Sequence, residues 1–155
     1  MTRILNSECI AHVGKKATIK GWVNSVRSYG KLAFADIRDR SGLIQVVGGL
    51  EVGSLKNEFV VEITGTVRDR SEKYFNDKLI TGKIEIEAES VVVLAKSAEL
   101  PFDLHHPDIN ISLPVALDNR ALSLRNKKIQ DVFKIQATIV QAFREYLNNL
   151  DFTEI

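Results

Sequence analysis

Between residues 15 and 94 the chain breaks into five short runs of β character, each closed by residues that favour turns, and this punctuation limits its fold more than any other feature. Ala17, Ile19, Gly21 and Val23 alternate with Thr18, Lys20, Trp22 and Asn24, the two-residue period of a strand with one face turned inward. Ser28, Tyr29, Gly30 and Lys31 read as a turn, residues 32–37 as a second strand, and Asp39, Arg40, Ser41 and Gly42 as a second turn. Residues 43–47, with the β-branched Ile44, Val46 and Val47, form a third strand that Gly48-Gly49 ends. Residues 50–58 read as a linker with one helical turn or two. In the fourth strand, residues 59–68, Val61, Ile63, Gly65 and Val67 alternate with Glu62, Thr64, Thr66 and Arg68. Residues 70–78 are polar and turn-like. Residues 79–94 read as a long, bent fifth strand, with Ile84 and Ile86 opposite Lys83, Glu85 and Glu87.

Five short strands with an interruption between the third and fourth point to an all-β Greek-key barrel of the OB-fold type. An SH3-like barrel and a sandwich fit the same pattern. Gly21, isolated within a strand, would mark a bend or bulge. Residues 1–14 lead in through a short helix or loop. Residues 95–126 hold all three prolines, Pro101, Pro107 and Pro114, and little periodicity, so they read as a linker or hinge. A C-terminal α-helix begins at Lys127 with Asn126 as its N-cap, and Ile129, Val132, Phe133, Ile139, Val140, Phe143, Leu147 and Leu150 recur at helical spacing. Such a stripe needs a partner surface, and the expectation is a fragment of a longer protein. The organisation read here is a barrel at 1–95, a hinge at 96–126 and a helical segment at 127–155.

The 155 residues suffice for one domain and a short appendage, and the 45% hydrophobic share supports a packed core. With 21 basic against 20 acidic side chains, any nucleic-acid binding has to come from a local patch rather than a bulk positive field. A single cysteine, Cys9, excludes an internal disulfide framework and a cysteine-based zinc site, and fits a reducing compartment. No apolar run approaches the ~20 residues of a membrane span, and the N-terminal residues lack the apolar core of a signal peptide. A soluble cytoplasmic protein is expected.

Groups suited to catalysis are few. His105 and His106 lie near Asp103 and Asp108, which suggests a metal, but a solvated, proline-flanked linker is the simpler reading. Gly48-Gly49 lacks the Lys-Ser/Thr of a phosphate loop. His12 has no evident partner, and Cys9 reads as a small core residue. No catalytic residue and no metal ligand is assigned.

Single-strand recognition has better candidates, because a barrel of this kind stacks bases on aromatic side chains and tracks phosphates with Lys and Arg. Trp22, Tyr29, Phe34 and Tyr74 are candidate platforms, and Arg27, Lys31, Arg38, Arg40, Arg68 and Arg70 candidate cations. Gln45 and Glu85 can read base edges, the amide as donor and acceptor, the carboxylate as acceptor only. Against these stand plainer readings: Trp22 as core, Phe34 as core, and Arg38 and Arg40 as turn ion pairs with Asp36 and Asp39.

The stretch GWVNSVRSYGKLAFADIRDRSGLIQVV at 21–47 resembles the signature of the class IIb aminoacyl-tRNA synthetases for aspartate, asparagine and lysine. The resemblance continues at VEITGTVR (61–68) and TGKIEI (81–86). It resumes at LDNRALSLR (117–125), and FREYLNNLDFTEI (143–155) resembles the start of the family's motif 1. Residues 95–114 match poorly. Ser123 stands where the family has Asp, no proline follows Arg125, and the motif 1 proline is missing.

The resemblance implies an N-terminal anticodon-binding domain, whose partner is tRNA with a central anticodon uridine. It implies that Phe34 stacks on an anticodon base, that Gln45 reads the central uridine with help from Arg27, and that Arg68 and Glu85 contact flanking bases. Arg70 and Asn76 fall in the matching loop and are implied as further anticodon-binding residues. It further implies a full-length parent that activates an amino acid with ATP and magnesium, transfers it to tRNA, and dimerises partly through the helix from Lys127. Residues 127–155 would then begin the catalytic domain, and this chain alone would recognise tRNA without charging it. Within the family the elements lean to aspartate, then asparagine, then lysine; a free-standing module for single-stranded nucleic acid is the further alternative.

Overall fold

The computed structural model describes residues 2–104 and 110–155. His105, His106, Pro107 and Asp108 lie outside the described residues, and with them the possible metal group. The chain divides into two compact units, Met1–Ala98 and Glu99–Ile155.

The first unit is a closed barrel of β1 (Lys16–Tyr29), β2 (Leu32–Asp39), β3 (Gly42–Gly48), β4 (Val60–Asp69) and β5 (Ile84–Ala95). Its strand order is β1-β2-β3-β5-β4, with β4 returning to β1. β3 and β5 pair in parallel and every other neighbour antiparallel. This is the five-stranded OB-type barrel that the sequence led to. Strand alternation fills it: Ile19, Val23, Ala35, Ile37, Ile44, Val46, Val61, Ile63, Val67 and Ile86 are all fully buried. Each buried Val or Ile contributes roughly 1.5–3 kcal/mol of transfer free energy, so inward positions fix the register and leave outward ones open to other roles.

The two ends of the barrel are closed by local structure. Between β3 and β4, α1 (Leu50–Gly53) turns Val52 inward, with Leu55 just beyond it. A 3-10 segment, Asn6–His12, packs Cys9 and Asn6 against the other strands. Asn6 donates from its backbone to Asp39 Oδ2 at 2.9 Å, and from its side chain to the carbonyls of Ile37 and Gly42 at 3.0 Å each. Cys9 is a core residue as expected; burial, then the Asp39 and Glu8 carboxylates, push its thiol up to about 11, which makes it a poor nucleophile.

Two local expectations are corrected. The irregularity in β1 lies between Val23 and Ser25, not at Gly21. Gly21 instead permits close passage, since a Cβ there would collide with the Arg38 carbonyl and the Ile37 side chain. β5 begins at Ile84 rather than residue 79, because residues 79–82 close a loop in which Gly82 donates to Leu79 and accepts from Asn76. Its pairing with β4 does shift register at Thr64/Gly65, the bend read from sequence.

The second unit holds α2 (Leu113–Asp118), α3 (Arg120–Ser123) and α4 (Lys127–Asn148). α2 and α3 fall where the sequence showed only a proline-rich hinge; helices of four and six residues are too short to display a period. Asn126 caps α4 as expected, its Oδ1 accepting from Lys128 N at 3.0 Å and Ile129 N at 3.4 Å.

Candidate nucleic-acid interface

The outward positions of the barrel strands form two rows across the sheet. One row runs Arg27, Phe34 and Val47 through successive cross-strand pairs, reaching Glu87 on β5. The other runs Ser25, Asp36, Gln45, Glu85 and Arg68 across all five strands. Pleating brings this about: on β2, Phe34 and Asp36 face out while Ala33, Ala35 and Ile37 fill the core. On β3, Gln45 faces out between the buried Ile44 and Val46.

Polar groups join these rows into a chain. Ser25 Oγ donates to Asp36 Oδ2 at 2.8 Å. Arg27 Nη2 donates to the same carboxylate at 3.1 and 3.4 Å, and reaches Gln45 Oε1 at 3.5 Å. Gln45 Nε2 donates to Glu85 Oε2 at 2.9 Å. Below Glu85 lies Arg70, its Nε 3.7 Å from Glu85 Oε2 and its side chain only 6% exposed. That buried Nε is within ion-pair reach but has no hydrogen-bond partner among the described residues. Burial pulls the Arg70 guanidinium below its ordinary range, while Glu85 and then Asp36 oppose the shift. Arg68 pairs with Glu87 on the rim.

Phe34 is half-buried on the outer surface and outside the core cluster, which overturns its reading as core. Tyr29 meets it edge-on, with ring centroids 6.0 Å apart and planes at 73°. Of the residues singled out in the sequence, Arg27, Phe34, Gln45, Arg68, Arg70 and Glu85 come together on this face. Asn76 sits in the exposed β4–β5 loop, where its Oδ1 accepts from Lys78 N at 3.2 Å. Tyr74 is exposed in that loop under Lys73, and Lys31 is exposed at the β1–β2 turn.

Two further plain readings are overturned. Trp22 is not core but 44% exposed, because its strand position is outward, opposite Arg38 and Val60. Arg38 does not pair with Asp36 or Asp39; it donates to Glu58 Oε1 and Asn24 Oδ1 at 2.9 Å each, while Asp36 takes Arg27. Asp36 and Ser25 were not among the sequence candidates. Their signal was parity: Asp36 stands two residues from Phe34, hence on the same face.

The face offers an aromatic platform beside an amide, with cations and carboxylates within a few ångströms. Stacking on such a ring contributes ~1–3 kcal/mol per base, and the amide and guanidinium supply directional contacts.

Comparison with known proteins agrees with the barrel fold. Residues 17–94, half of the chain, match the family model described as OB-fold nucleic acid binding domain. Residues 112–155 match tRNA synthetases class II (D, K and N). The aspartate–tRNA ligase of Listeria monocytogenes serotype 4b (strain F2365) is 41% identical over 153 residues, covering 94% of this chain and 26% of that protein. The chain thus spans about a quarter of the length of the curated relatives it matches. The asparaginyl-tRNA synthetase from Pyrococcus horikoshii, solved with asparaginyl-adenylate, aligns with a TM-score of 0.68 at 25% identity, over 100% of this chain and 36% of that one. The aspartyl-tRNA synthetase from Entamoeba histolytica shares the fold, with a TM-score of 0.74 at 22% identity over 100% of this chain and 39% of that one.

Proposed function

The chain belongs to the family of OB-fold nucleic acid binding domains, and from that premise we propose that its barrel recognises the tRNA anticodon as part of an aspartate–tRNA ligase. The observation that carries the reading is the union of Phe34 with the Arg27–Gln45–Glu85 chain on one outer face. Anticodon bases are unpaired in their loop, so their edges can reach such groups and their faces can stack. In this reading Phe34 stacks on a base, Gln45 with Arg27 takes the central uridine, and Arg68 and Glu85 meet the flanking bases. Arg70 supports Glu85 from beneath, and Asn76 reaches the RNA from its loop. The curated relatives named aspartate–tRNA ligase favour aspartate over asparagine or lysine.

The rest of the reading concerns a full-length parent. Residues 1–95 serve as its anticodon domain, 96–126 as a hinge and 127–155 as the opening of its catalytic domain. The exposed Val132, Ile135, Ile139 and Phe143 of α4 fit a homodimer interface in that parent. ATP and magnesium belong to the parent's chemistry. Among the described residues no three His, Cys, Asp or Glu side chains gather as a metal would need, and no residue of this chain is assigned to either. Among the described residues no helix is long and apolar enough to cross a membrane; a cytoplasmic site of action is part of the proposal.

Titration of the chain with anticodon stem-loops carrying U or C at the central position tests the reading. Tighter binding of the U hairpin is expected. Equal affinity for both sinks it.

A further inference from the structure

Resting on that anticodon reading, we infer that Asp36 is the positioning residue that sets U-over-C discrimination, by holding Arg27 against one end of the Gln45 amide. The amide is the part of the site whose orientation matters most. Its carbonyl and amino ends are nearly the same shape and opposite in hydrogen-bonding sense. At adjacent ring positions uracil presents an N3–H donor and an O4 acceptor; cytosine presents an N3 acceptor and an N4 amino donor. A base held in one plane by stacking therefore meets a freely turning amide equally well in either form. Only an amide fixed end for end separates the two.

The structure fixes it from both sides. Glu85 Oε2 receives the amino end at 2.9 Å, and a carboxylate can only accept. Arg27 Nη2 faces the carbonyl end at 3.5 Å, and a guanidinium can only donate. Turning the amide over would set amino against guanidinium and carbonyl against carboxylate, two opposed contacts in place of two matched ones. One lone pair on Oε1 and one hydrogen on Nε2 stay available to a base, in a fixed order.

The two clamps are not equally firm. Glu85 is held by β5 pairing and by the buried Arg70 beneath it. Arg27 ends a long side chain that is 51% exposed, and its contact with the amide is at the long limit of a hydrogen bond. What keeps its guanidinium there is Asp36, at 3.1 and 3.4 Å, itself steadied by Ser25 Oγ at 2.8 Å. Asp36 lies directly across from Gln45 in the β2–β3 ladder. Its partners are Ser25 and Arg27, and it acts on a base through Arg27.

The test measures the ratio of dissociation constants for central-C and central-U anticodon stem-loops, using the whole chain and its variants. Asp36→Asn keeps the shape but weakens the hold on Arg27. It should lower the ratio about tenfold, the scale of one directional base contact, while U-hairpin affinity changes much less. Ser25→Ala leaves the carboxylate intact and should lower the ratio in the same direction by a smaller factor, which covers a failure of Asp36→Asn to fold. In an Arg27→Ala background, Asp36→Asn should leave the ratio unchanged. An unchanged ratio in both single variants overturns the inference. So does an equal loss for both hairpins, or a further fall in the Arg27→Ala background. A wild-type chain with no U preference removes the anticodon reading itself, and that result is distinct from a discriminating wild type whose ratio ignores Asp36.

Discussion

β2 carries two aspartates three residues apart, and they lead different lives. Asp36 faces out, with 21% of its side chain exposed, and its partners are the side chains of Ser25 and Arg27. Asp39 is only 6% exposed and accepts from the Asn6 backbone, the Ser41 backbone and Ser41 Oγ at 2.9, 2.7 and 2.6 Å. One carboxylate holds a movable cation in place at a surface; the other ties the N-terminal segment and the β2–β3 turn to the barrel. Residue type is the same, and an odd offset along one strand separates the outer face from the barrel interior.

The largest effect that would break this contrast is in stability. Asp39→Ala leaves the Asn6 N–H, the Ser41 N–H and its hydroxyl without their acceptor in a buried place. It should destabilise the barrel by about 2–3 kcal/mol, read from the denaturant midpoint at unchanged slope. A loss no larger than that of Asp36→Ala would remove the distinction. Next comes binding: Phe34→Ala should weaken the anticodon hairpin by about 1–3 kcal/mol and leave the fold intact, since Phe34 is outside the core. An unchanged dissociation constant would mean that the outer face near Asp36 is not where a base stacks.

Why this contrast is only partly legible in the sequence follows from what a one-dimensional pattern encodes. Alternation in residues 61–67 places Ile63 and Val67 on one face with no need of coordinates, whereas the parity of residues 32–37 leaves Phe34, flanked by Ala33 and Ala35, open to either face. The same parity puts Asp36 beside Phe34, but nothing in the sequence says that Asp36 meets Arg27 rather than Arg38. That choice depends on the register between β1 and β2, which skips a residue at Asn24 and sets Ser25 opposite Asp36. Arg38 is diverted by Glu58, twenty positions away in a loop where it holds a φ of 65°. Trp22 makes the same point from the other side: core is the plainer reading of a tryptophan in a strand, and its parity with Lys20 and Asn24 is the better guide. Arg70 was recognisable as a cation, whereas its burial beneath Glu85 depends on how β4 leads into the following loop.

Acid titration sharpens the comparison at smaller amplitude. Burial alone would raise Asp39, but hydrogen bonds from the Ser41 hydroxyl and from the Asn6, Ser41 and Gly42 backbone outweigh it and bring the carboxyl below its ordinary 3.8. A carboxyl lowered in the folded state binds its proton more readily unfolded. Its contribution to stability is therefore complete above about pH 4 and is lost as pH falls through the lower folded value. Between pH 5 and pH 2 the wild-type barrel should lose more stability than Asp39→Asn, measured as parallel thermal midpoints. Parallel acid limbs in the two proteins would show that Asp39 is not protected.

The smallest effect belongs to Arg68, and it separates charge from architecture on the same face. Arg68 pairs with Glu87, but the two side chains are 58% and 45% exposed, so solvent and salt screen the pair. Arg68→Ala should change stability by well under about 1 kcal/mol. If Arg68 meets the RNA through a phosphate, its removal should weaken the U and C hairpins alike and flatten the dependence of log affinity on log salt by about one phosphate contact. If it meets a base edge, the salt slope should hold while preference at one flanking anticodon position relaxes. A variant that moves neither the slope nor any base preference would leave Arg68 with its rim ion pair alone and confine recognition to Phe34 and the side-chain chain from Asp36 through Arg27 and Gln45 to Glu85.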